Sequence, residues 1–113
     1  MSIMDFFKTP QNLKELSPEE VKTKLNEGNA KIIDVRTKRE YEAGHIKEAT
    51  LIPLSKIKKK TKDLSFDEEY ILICATGHRS RAAGATLLRN GFKNVSHLKG
   101  GMGAWKKMEK QEK

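Results

Sequence analysis

The chain has 113 residues, enough for one domain with one core, and its 23 Lys plus Arg against 15 Asp plus Glu give a net charge of +8. A single cysteine excludes an internal disulfide, and no stretch approaches the ~20 apolar residues of a membrane span. The lysines are not interleaved with aromatics, and no helix-turn-helix, zinc or RNA-binding signature is present, so neither nucleic acid nor a membrane is an expected partner.

Residues 1–16 read as a lead-in, with Phe6 and Phe7 pinned on the domain and a turn at Pro10-Gln11-Asn12. Met1 to Lys8 has no basic start and no long apolar stretch, so a secretory signal is not expected. One domain is expected over residues 17–108, followed by a charged tail at 109–113. Ser17-Pro18-Glu19-Glu20 is a capping box with Pro at the first helical position, and its helix carries Val21 and Leu25 on one face and stops at Gly28. Lys31 to Val35 reads as a strand. Thr37-Lys38-Arg39-Glu40 is a second capping box, opening a short helix that ends before Gly44. Thr50 to Pro53 reads as a further strand. The lysine-rich stretch from Leu54 to Lys62 reads as a short amphipathic helix followed by a loop. Tyr70 then opens an apolar strand, Ser80 to Asn90 forms a helix closed by Gly91, and Asn94 to Leu98 is a last strand. Lys99 to Gly103 is expected to be a flexible turn before a terminal helix around Ala104 and Trp105.

Alternating strands and helices predict an α/β domain of three layers, a mainly parallel central sheet flanked by helices on both faces. In such sheets ligands sit beyond the C-terminal ends of the strands. Cys74 stands at such an end, between the apolar run Ile71 to Ile73 and the helix from Ser80. Backbone N–H groups of the intervening turn and the positive end of the helix dipole can converge there on an anion, and a thiolate is one. Gly77 permits a positive φ, Thr76 supplies a hydroxyl, and Arg79 and Arg81 raise the local potential. A small buried hydrophobe is the alternative for a lone cysteine, but this setting points to an activated nucleophile. One Cys and three dispersed His residues offer no metal-ligand spacing, and no nucleotide fingerprint follows a strand, so no cofactor is expected.

The loop Cys74-Ala75-Thr76-Gly77-His78-Arg79-Ser80 closely resembles the active-site loop of rhodanese-type sulfurtransferases. Asp34-Val35-Arg36, Glu40, Gly44-His45-Ile46, Ala49 and Ile52-Pro53 resemble the N-terminal signature of that family. Leu98-Lys99-Gly100-Gly101 with Trp105 resembles its C-terminal one. The resemblance implies a single-domain rhodanese that moves sulfane sulfur through a persulfide on Cys74, with Ala75, Thr76, Gly77, His78, Arg79, Ser80 and Arg81 around the substrate. Arg79 and Arg81 are the expected holders of an anionic donor such as thiosulfate, while His78 either joins them or faces solvent. The acceptor is cyanide or a thiol. Two other uses of the fold remain open: a persulfide carrier serving a sulfur-relay partner protein, and a non-catalytic binding module, against which the intact Cys74 argues. Phosphatases and arsenate reductases on the same scaffold place Arg six positions after Cys; here Arg79 follows at five and position six is Ser80, a cradle sized for one sulfur atom.

Asp34 is expected to accept hydrogen bonds that fix the loop, to pair with an Arg, or to be simply solvated. Arg36 is expected to pair with Glu40 across the turn, His45 to make a fixed hydrogen bond between elements, and Trp105 to lie in the core or an interface. The basic runs Lys56 to Lys62 and Lys106 to Lys113 are either solvated surface or an attraction for small anions or an acidic protein. With no disulfide to maintain, a cytoplasmic setting is expected.

Overall fold

A computed structural model describes residues 13–112. The expected lead-in features at Phe6, Phe7 and Pro10 lie outside the described residues. Five strands, β1 (Lys14–Leu16), β2 (Ala30–Asp34), β3 (Ala49–Leu51), β4 (Glu69–Ile73) and β5 (Val95–Leu98), form one sheet in the order β1-β5-β4-β2-β3. Every neighbouring pair is parallel. The helices are α1 (Pro18–Glu27), α2 (Lys38–Glu42), α3 (Ile57–Lys60), α4 (His78–Arg89) and α5 (Gly101–Gln111). Single turns of 3-10 helix, Leu54–Lys56 and Thr61–Asp63, flank α3. Among the described residues no helix is long and apolar enough to cross a membrane.

Both capping boxes form as their sequences require. Ser17 Oγ accepts the Glu20 N–H at 3.1 Å while Glu20 accepts the Ser17 N–H at 2.9 Å, and Thr37 and Glu40 repeat the exchange. Gly28 closes α1 at φ +75°, a left-handed conformation that costs glycine little.

Strand alternation sorts the core into two layers. Ile33, Val35, Tyr70, Leu72 and Val95 face Ile57 of α3 and Ala83 and Leu87 of α4. Ile32, Ile71, Ile73 and Leu98 face Val21 of α1 and Met102, Trp105 and Met108 of α5. The central β4 is buried on both sides, as its unbroken apolar run requires. Cys74 continues the alternation of Tyr70 and Leu72 and belongs to the α4 layer.

Three elements depart from the sequence reading. Lys14–Leu16, inside the expected lead-in, is an edge strand paired with β5. Helix α4 starts at His78 rather than Ser80, taking Gly77 (φ +110°) as its N-cap. Helix α5 begins at Gly101, so much of the expected flexible turn is the helix's first turn. Glycine lowers helix propensity, but the backbone of Gly101 packs against the Cys74 loop, and that contact decides.

Candidate active site

Cys74 immediately follows β4 and is fully buried. Its Sγ accepts the Gly77 N–H at 2.8 Å and lies 3.5 Å from Ser80 Oγ. The loop carbonyls turn the other way: Cys74 O accepts the Met102 N–H at 2.8 Å and Ala75 O the Gly103 N–H at 3.3 Å. The start of α5 thus holds the outside of the loop, and the N–H groups are left facing the sulfur. Gly101 makes that approach possible. A Cβ there would lie 2.4 Å from Cys74 O and 2.5 Å from Ala75 O, and its φ is +60°.

Burial pushes the Cys74 thiol up, but the Ser80 hydroxyl and the backbone N–H groups of Ser80, Gly77 and Thr76 outweigh it and leave the thiol below its ordinary value. The direction is the one the sequence reading expects. The leading donors differ from those expected: they are a hydroxyl and backbone N–H groups, while Arg79 interacts with the sulfur only through its charge. Both guanidinia are engaged elsewhere. Arg79 clamps Glu40 with two hydrogen bonds of 2.6 and 2.8 Å, and that pair holds the Glu40 carboxyl down at about 2. Arg81 reaches Glu15 on β1 at 3.4 Å.

The expected Arg36–Glu40 pair is therefore not formed. Arg36 closes on Asp34 instead, with Nη2 donating to Oδ2 at 2.7 Å and Nε to Oδ1 at 2.9 Å. Asp34 also accepts the Arg36 N–H at 3.0 Å, and Nη2 donates to Gly44 O at 2.7 Å. Both side chains are buried, so the pair is a strut joining the end of β2 to the turn after α2. It supports the fold one strand away from the sulfur. Glu40 has the opposite fate: read as a partner for Arg36, it is the residue that orients Arg79 at the loop.

Ala75 is half-buried, Thr76 and His78 are exposed, and Ser80 is fully buried. His45 is exposed, stacked on Tyr41 with ring centroids 3.6 Å apart and bonded through Nδ1 to Tyr41 O at 2.8 Å, a local contact at the end of α2. Trp105 lies in the core. Among the described residues no group of three or more His, Cys, Asp or Glu could hold a metal ion. Two groups escaped the sequence reading. His97 of β5 is fully buried, with Nδ1 3.0 Å from Ser80 Oγ, and Glu15 of β1 stands beside it. Their spacing in the chain carries no signal; only the sheet order brings them to the loop.

The profile of the rhodanese-like domain family matches residues 17–108, and the chain belongs to that family. It is 32% identical over 93 residues to a thiosulfate sulfurtransferase of Pseudomonas entomophila, covering 82% of this chain and 84% of that protein. It is 36% identical over 95 residues to YrkF of Bacillus subtilis, a candidate sulfur carrier, covering 83% of this chain but only 51% of the relative's length. A rhodanese-like domain protein of Staphylococcus aureus superposes with a TM-score of 0.77 at 36% identity, covering 82% of this chain and 91% of that one.

Proposed function

We propose that this domain is a sulfurtransferase that takes sulfane sulfur from a small anionic donor such as thiosulfate onto Cys74 and passes it to a thiol or to cyanide. One observation carries the reading: a buried sulfur, held at the end of a parallel strand by inward-facing N–H groups, in a loop too short for the six-position spacing of the oxyanion-handling relatives. The Cys74 thiolate attacks the outer sulfur of thiosulfate. The S–S bond of the donor breaks, sulfite departs with its electron pair, and an S–S bond forms on Cys74. An acceptor thiolate or cyanide then attacks the terminal sulfur, and Cys74 leaves as the thiolate it began as. No external oxidant or reductant enters. This is covalent catalysis in two displacements, and the loop N–H groups stabilise the negative sulfur in each. A lone working thiol suits a reducing, cytoplasmic setting.

Intact mass after incubation with thiosulfate tests the proposal. The expected result is the gain of one sulfur atom, removed by cyanide or a thiol reductant and absent in Cys74→Ser, whose hydroxyl is a poor nucleophile at neutral pH. Sulfur retained by a folded Cys74→Ser protein overturns it.

The carrier reading has a specific support of its own. With Arg79 on Glu40 and Arg81 on Glu15, both loop guanidinia already have carboxylate partners, which disfavours a free sulfonate and favours sulfur delivered by and to proteins. Slow thiosulfate:cyanide turnover beside fast transfer to a protein thiol would select it.

A further inference from the structure

Register places Glu15, His97 and Leu72 side by side on β1, β5 and β4, and Cys74 lies two residues beyond Leu72 on the same face. On that face sits the first turn of α4, carrying Ser80. The result is a line of polar groups in an otherwise apolar layer: Cys74 Sγ to Ser80 Oγ at 3.5 Å, Ser80 Oγ to His97 Nδ1 at 3.0 Å, and His97 Nε2 to Glu15 Oε2 at 3.2 Å. The last contact is short but poorly aligned, so Nε2 is a buried polar atom with a carboxylate beside it and no good hydrogen bond. A buried imidazole packed against apolar strands is costly unless its nitrogens are used.

The Ser80 hydroxyl has one proton and three claimants: Gly77 O at 3.0 Å, His97 Nδ1 at 3.0 Å, and a Cys74 thiolate. With Cys74 as a thiol, the S–H donates to Ser80 Oγ, the Ser80 hydroxyl donates to Nδ1, and the imidazole keeps its proton on Nε2 toward Glu15. Moving each proton one place along the line gives a thiolate that accepts from the Ser80 hydroxyl and an imidazolium that donates through Nδ1 to Ser80 and faces Glu15 through Nε2. The S–H and O–H bonds break, an O–H and an N–H bond form, and no electrons are exchanged. In the second arrangement the thiolate accepts from a hydroxyl and the imidazolium faces the opposite charge of Glu15, with Arg81 the one like charge opposing it.

We infer that His97 is a positioning residue for Cys74, acting through Ser80 to receive the thiol proton and hold it while the sulfur reacts. The inference rests on Cys74 being the working nucleophile, as proposed above. The charged groups facing His97 are Glu15 from β1 and Arg81 from α4, with the Cys74 sulfur beyond the end of β4. Burial holds the imidazole below its ordinary value, opposed by Glu15 and assisted by Arg81. The negative charge of Glu15, and that of the thiolate which the proton shift creates, are what offset this lowering and let the ring hold the proton.

Iodoacetamide alkylation of Cys74, measured across pH, reads thiolate formation without requiring sulfur transfer. In His97→Asn the amide can still accept the Ser80 hydroxyl but cannot take up a proton. The expected result is alkylation about tenfold slower than wild type at neutral pH, a rise of about one unit in the midpoint, with Ser80→Ala similar and the double variant no slower than either. A wild-type profile in His97→Asn overturns the inference, because it makes His97 a passive holder of Ser80. A second measurement needs no substitution: the pH titration of the His97 imidazole by long-range proton–nitrogen NMR, before and after Cys74 is alkylated. Loss of the thiolate should move the imidazole titration to lower pH, and an unchanged titration overturns the inference. If thiosulfate loads no sulfur while both readouts behave as expected, the sulfurtransferase proposal fails and the relay stands. If sulfur loads normally and both readouts are flat, only the relay fails.

Discussion

Asp34 and Arg36 form the most buried ion pair among the described residues, and their worth lies in mutual dependence. Asp34→Ala leaves a guanidinium inside the protein with only the Gly44 carbonyl as a partner. Breaking such a pair costs about 3–5 kcal/mol, which urea unfolding should register as a fall in midpoint with little change in slope. The Glu40–Arg79 pair is one-third exposed and worth far less, under ~1 kcal/mol. Its pH dependence is the more informative quantity. The folded Glu40 carboxyl is depressed from 4.5 to about 2. Its contribution is therefore fully present above about pH 4.5 and is lost as pH falls through about 2. The stability difference between wild type and Glu40→Gln should be constant near neutrality and close below about pH 4.5, and a difference that persists unchanged down to pH 2 would show that the ion pair is not its source. At this scale the sequence was partly readable. Asp34 and Arg36 are visible as charges at the end of β2, and Glu40 and Arg79 as charges in the first turns of α2 and α4, but which carboxylate meets which guanidinium depends on the turn geometry between β2 and α2.

Among the elements, α5 contributes most to the site for its position. Its first turn supplies the N–H groups of Met102 and Gly103 to the carbonyls of Cys74 and Ala75. Gly101→Ala would drive a methyl into both carbonyls and force an L side chain to φ +60°. The backbone conformation alone costs about 1–2 kcal/mol, and the overlap adds to it. We expect Gly101→Ala to lose at least ~2 kcal/mol in thermal or urea unfolding and to load sulfur more slowly than wild type. Stability with normal loading would mean that α5 only covers the sheet. Local signals foretold the elements that have them: two capping boxes, the Gly28 stop and the apolar β4 run. They failed at β1, where Lys14-Glu15-Leu16 is short, charged and without alternation, and whose pairing with β5 is a tertiary event. They failed at Gly101 because propensity argues for a turn there while packing requires a residue without a side chain.

Across the whole molecule, the parallel order β1-β5-β4-β2-β3 gathers strand ends that are distant in sequence. This explains what was and was not legible in the site. The loop from Cys74 to Ser80 is contiguous, so its residue types, length and likeness to a family are all present in one stretch. The line from Cys74 through Ser80 and His97 to Glu15 crosses three strands and a helix, and no local pattern encodes it. The described lysines of the basic runs lie on the surface, with Lys56, Lys58, Lys59 and Lys60 exposed in the first and Lys106, Lys107 and Lys110 in the second.

Because the loop carbonyls are bonded to α5 and a loop N–H to the sulfur, the loop cannot open without also loosening the last helix. The Gly77, Met102 and Gly103 amides should therefore exchange with deuterium as one cooperative unit rather than with the rates of their separate elements. A terminal sulfur on Cys74 adds an acceptor to the same loop and should slow all three together. Amide exchange at the far end of the chain, on α5, would thus report whether sulfur is on board at β4. Exchange that slows at Gly77 alone would mean that helix and loop move independently.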